Sequence, residues 1–80
     1  MEYEKEVRNL LHEILGNSEC ETLDSRADLA PYGMDSLNCM SLVIALEDTF
    51  EVEIPMEKLG MRFVRNVYDI CKLVEEVKGV

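Results

Sequence analysis

Ser36 is the residue of this chain best placed to do chemistry. It follows Asp35, and Gly33 lies three positions back, where a long loop gives way to a helical pattern. Gly33 allows backbone conformations that other residues resist, and Asp35 is a good N-cap. A serine at the first helical position presents its hydroxyl beside backbone N–H groups that lack an intrahelical acceptor. That environment is electropositive and favours phosphate, so it suits a serine bearing a phosphate-linked group. The plainer reading is that Ser36 only opens a helix.

The other reactive side chains do not assemble into a catalytic set. A serine or cysteine nucleophile needs a base, usually histidine. The single histidine, His12, falls at the edge of an apolar helical stripe and reads as a structural or surface residue. Cys20, Cys39 and Cys71 are an odd set without a CxxC. They fit neither a disulfide framework nor a zinc site and are expected as free thiols. Cys71 reads as a small core residue, and Cys39, one helical turn after Ser36, as a small helix residue. There is no glycine-rich phosphate loop. The stretch from Asp24 to Asp35 lacks the central glycine of a calcium loop and carries Arg26. No metal is expected, and the isolated chain is not expected to be an enzyme.

The elements that must position Ser36 are helical. Val7, Leu10, Leu11, Ile14 and Leu15 share one helix face, which predicts a first helix over residues 2–15. Glu2, Glu4 and Glu6 suit the positive end of its dipole, and Gly16-Asn17 supplies the stop. Residues 17–35 show no sustained period and read as a long loop, with Leu23, Leu29 and Tyr32 packing it down. A second helix is predicted from Asp35-Ser36, with Leu37, Met40, Val43, Ile44, Leu46 and Phe50 as a broad apolar face. Glu51 to Ile54 alternates like an extended connector. Pro55 then favours a short helix from Met56 to Leu59, ended by Gly60. Asn66 resembles an N-cap for a last helix, carried by Val67, Ile70, Cys71, Val74 and Val77 and ended by Gly79. The expected fold is all-α: three main helices and one short one around a single core, in one domain over residues 1–80.

Composition narrows the partners. The chain has 80 residues, 17 acidic and 8 basic, for a net charge of −9. Phosphate neutralisation needs a Lys/Arg surface, so nucleic acid is disfavoured, and an anionic membrane for the same reason. A basic protein partner is favoured, because long-range attraction would steer the encounter. The acidic N-terminus lacks the basic flank and apolar stretch of a signal peptide, so the expected setting is the cytoplasm. With 48% apolar residues the chain can form a core, and a monomer is expected.

Gly33-Met34-Asp35-Ser36-Leu37 resembles the (D/G)-(A/M/L)-D-S-L attachment motif of acyl carrier proteins. The likeness continues through Leu42 to Phe50, similar to that family's second helix, and Val52 to Pro55, similar to its connector. Leu29 and Gly33 match the family's approach to the motif, whereas Ala30-Pro31-Tyr32 departs from it. The resemblance implies that Ser36 carries 4'-phosphopantetheine, transferred from coenzyme A by a phosphopantetheinyl transferase that supplies the base and Mg²⁺. It implies a carrier that holds acyl or aminoacyl groups as thioesters and presents them to a loading ligase or synthase and other pathway enzymes. By the same analogy Asp35 helps dock the transferase. Leu37 and Met40 line the surface next to the arm, and Glu47 and Asp48 pair with cations on partners.

One stretch departs from the fatty-acid carriers, whose second helix is acidic just after the serine. Here Asn38-Cys39-Met40-Ser41 is uncharged, and no charge follows until Glu47. This favours a specialised polyketide, peptide or related pathway over the alternative of primary type II fatty-acid synthesis. A reading of another class is a small helical interaction module that is never modified.

Overall fold

Helices form where apolar spacing and caps coincide, and the computed structural model describes residues 2–79. Helix α1 spans Glu4–Leu15 and buries Val7 and Leu11 completely, with Leu10, Ile14 and Leu15 packed at the core margin. It stops at Gly16, whose left-handed φ of 64° turns its N–H onto the His12 carbonyl. Helix α2 spans Ser36–Phe50 and helix α3 Val67–Lys78. No helix among the described residues is long and apolar enough to cross a membrane.

The long loop of residues 17–35 folds into two single 3-10 turns, Ser18–Glu21 and Ala30–Tyr32. It is held by groups far away in sequence. The Arg8 guanidinium reaches from α1 to the carbonyls of Cys20 and Leu23, at 3.2 and 2.7 Å. Cys20 and Leu29 are fully buried. Arg26 stacks over the Tyr68 ring at 3.7 Å, a cation–π contact. The short helix expected after Pro55 is a single 3-10 turn, Met56–Lys58, and a second turn follows at Met61–Phe63.

Hydrogen bonds fix the topology. Leu29 N–H donates to Arg65 O and Tyr68 N–H to Ser25 O, which ties the starts of α2 and α3 to the same loop. Lys78 Nζ donates to Phe50 O at 3.1 Å and ties their ends. The two helices therefore run in the same sense. Tyr3 meets Phe50 edge-on at 5.2 Å, while Leu15 lies against Gly33, so α1 runs the opposite way. The core between them includes Leu42, Leu46, Ile70 and Val74, and no buried side chain among the described residues is polar.

Helix α2 corrects the single broad face expected for it. Cys39, Leu42, Val43, Leu46 and Phe50 face the core, but Leu37, Met40 and Ile44 are 77%, 50% and 63% exposed. At 100° per residue those three project from the opposite side, so α2 has two apolar faces.

Candidate functional site

The site is the start of α2, built between two buried anchors. Met34 is buried and its N–H donates to Leu29 O at 3.1 Å. Cys39 is buried and its N–H donates to Asp35 O at 2.8 Å, the first bond of the helix. Asp35, Ser36 and Leu37 lie between them and are exposed. Gly33 makes the approach possible with a φ of 110°, which side-chain-bearing residues rarely adopt.

Asp35 caps the helix as its type predicts: its side chain accepts the Asn38 N–H at 2.8 Å. Asn38 returns the interaction by donating its side-chain N–H to Gly33 O at 2.8 Å. The two bonds fix the loop to the helix on either side of Ser36. Among the described residues the N–H groups of Ser36 and Leu37 have no hydrogen-bond acceptor. They lie at the positive end of a 15-residue helix dipole, beside the serine hydroxyl. A phosphodiester on Ser36 would meet free donors there.

Among the described residues no side chain hydrogen-bonds to Ser36. His12 hydrogen-bonds through Nδ1 to the Glu21 carboxylate, an exposed pair on the first loop. The three thiols are buried, and burial pushes each above its ordinary pKa, Cys71 to about 11. At Cys39 the backbone of Gly60 lies beside the sulfur and offsets part of that rise. They are poor nucleophiles in the folded chain, since the thiolate is the reactive form.

Of the other residues expected at the site, Leu37 and Met40 are surface residues on the first turns of α2 and Asp48 is exposed toward its end. Glu47 has a structural contact as well. It is half-buried, and its carboxylate accepts the Ile54 N–H at 2.9 Å, which secures the connector. Ile44, expected on one broad apolar face with Val43, Leu46 and Phe50, lies on the outer face instead; its helical angle from Cys39, Leu42 and Leu46 separates it from them.

Ser36 is thus an exposed residue at the start of a capped helix on a small helical frame. Residues 5–74 match the phosphopantetheine attachment site family, and the chain belongs to that family. It is a non-catalytic carrier domain to which 4'-phosphopantetheine is covalently attached, and it works with a phosphopantetheinyl transferase and the enzymes of its pathway.

Proposed function

We propose that Ser36 is the attachment residue and that the arm holds acyl or aminoacyl intermediates as thioesters for a specialised polyketide, peptide or related pathway. The observation that carries the assignment is the exposed Ser36 hydroxyl at the first position of a capped helix, between the buried Met34 and Cys39. In loading, Ser36 Oγ forms the new P–O bond, its proton goes to a base on the transferase, and the adenosine-bisphosphate half of coenzyme A leaves. The arm supplies a terminal thiol that forms thioesters. Asp35 and the free N–H groups orient the linkage, and Leu37 and Met40 meet the visiting enzyme. Asp48 adds a free charge at the far end of the helix.

Two features support the reading. With Cys20, Cys39 and Cys71 buried, the thiol of the arm is the accessible one, so cargo is not lost to neighbouring thiols. The absence of charge from Asn38 to Leu46 supports a specialised pathway, because docking there must use apolar and polar contacts. The test is intact mass after incubation with coenzyme A and a broad-specificity phosphopantetheinyl transferase. Wild type should gain one phosphopantetheinyl group and Ser36→Ala none. No gain on folded wild type, or a gain that survives Ser36→Ala, contradicts the assignment.

A further inference from the structure

Ser36 sits inside a small closed ring. Asp35 accepts the Asn38 N–H through its side chain at 2.8 Å, and Asn38 Nδ2 donates back to Gly33 O at 2.8 Å. The chain from Gly33 to Asn38 is thereby closed by a half-buried side chain that starts two residues after the serine. The ring needs this closure. Asp35, Ser36 and Leu37 are exposed, and among the described residues the N–H groups of Ser36 and Leu37 have no acceptor. Gly33, at a φ of 110°, is a residue type with little steric restraint of its own. Its N–H donates to Ala30 O at 3.1 Å, so one side of the glycine is tied to the loop and the other, through Asn38, to the helix.

The two bonds of residue 38 are not equivalent. The bond to Asp35 caps the helix, and Asn66 caps α3 in the same way through the Asp69 N–H. The bond from the Asn38 side chain has no counterpart in α3. There the third helical residue is Asp69, whose ionised carboxylate has no proton to donate. α3 starts with the fully buried Val67, so packing fixes that start. α2 starts with a residue in water, and an amide at its third position takes the place of packing.

We infer that Asn38 is a positioning residue for loading: by holding Gly33 O, its side-chain amide fixes where the Ser36 hydroxyl stands when the transferase presents coenzyme A. This rests on the carrier reading above and deepens it by naming a residue that governs the reaction through the backbone, without touching the reacting atoms. The rate between two bound groups depends steeply on their placement. A slack ring therefore costs rate at saturation rather than affinity. The group required is a donor. A carboxylate at position 38 would suit the positive end of the helix but could only face Gly33 O as a second acceptor.

The test uses the full chain, a broad-specificity phosphopantetheinyl transferase in excess and coenzyme A, with single-turnover loading followed by intact mass. Asn38→Ala and Asn38→Asp should each lower the saturated rate about fivefold, the scale of one hydrogen bond. The half-saturating transferase concentration should stay near wild type for Asn38→Ala. Denaturant unfolding of the same samples should leave Asn38→Asp close to wild type, because the helix dipole favours the acid, so its slow loading cannot be lost stability. Loading of both variants at the wild-type rate overturns the inference. So does a loss seen in only one of them, a loss seen only through half-saturation, or a loss in proportion to unfolded protein. Each of these outcomes leaves the carrier reading standing, since wild type still loads. Folded wild type that takes no group overturns the carrier reading, and this inference with it.

Discussion

Helices α2 and α3 begin with the same device and end up with different roles. Asp35 accepts the Asn38 N–H at 2.8 Å, and Asn66 accepts the Asp69 N–H at 2.7 Å. Each cap holds an extended residue ahead of its helix. The next residue differs. After Asn66 comes Val67, fully buried, with the adjoining Tyr68 N–H bound to Ser25 O. After Asp35 comes Ser36, exposed, with its own N–H free of acceptors among the described residues. A cap makes a helix start. What the first residue is, and whether the fold leaves it in water, makes one start a structural joint and the other a place for attachment.

Making the α3 start copy the α2 start should have the largest effect. Val67→Ser puts a hydroxyl into the core in place of two methyl groups and should cost about 2–4 kcal/mol in denaturant unfolding. It should create no second loading site, because position 67 stays inside. A second phosphopantetheinyl group on that variant would show that an Asx-Ser sequence suffices without exposure.

Gly33→Ala should come next, costing about 1–3 kcal/mol, because alanine resists positive φ. A Cβ there would lie 3.9 Å from Leu15, ordinary contact, so the loss is conformational rather than steric. If Gly33→Ala unfolds at the wild-type midpoint, the left-handed approach to Ser36 is not required.

Removing the caps should cost about 1 kcal/mol each, for Asp35→Ala and Asn66→Ala alike. Only Asp35→Ala should also slow loading by the transferase, since it alone borders Ser36. Equal loading rates for both variants would remove Asp35 from the docking surface.

The smallest effect is expected at Glu4 on α1, away from both starts. Its hydrogen bond to Arg8, at 2.8 Å, holds the carboxyl below its ordinary range. That pair stabilises the fold above the ordinary carboxylate pKa, and the contribution is lost as pH falls through the lowered folded value. Glu4→Gln should lower the thermal midpoint slightly at neutral pH and narrow its difference from wild type in acid. A difference that widens on acidification would contradict the pairing.

Much of this comparison was legible in the sequence. Asp35 and Asn66 marked both helix starts because cap chemistry is local, and Val67, Ile70, Cys71 and Val74 marked the buried face of α3 because spacing is local. Ser36 stood out for the same reason. What was not legible depends on distant groups. Arg8 could not be read as the anchor of the first loop, since its acceptors are backbone carbonyls at Cys20 and Leu23. The bond from the Ile54 N–H to Glu47 was not legible because it is set by how the connector turns. Ile44 was grouped with Val43, Leu46 and Phe50 on one broad apolar face on hydrophobicity alone, although its angle on α2 points outward.

The most direct test of the central claim is site-resolved mass spectrometry of the loaded protein, with Ser36→Ala unfolded beside wild type. The account predicts the phosphopantetheinyl group on Ser36 and no other residue, together with a Ser36→Ala variant whose stability stays within about 0.5 kcal/mol of wild type. The group on another residue, or a Ser36→Ala variant destabilised by several kcal/mol, would contradict it and make Ser36 a structural serine.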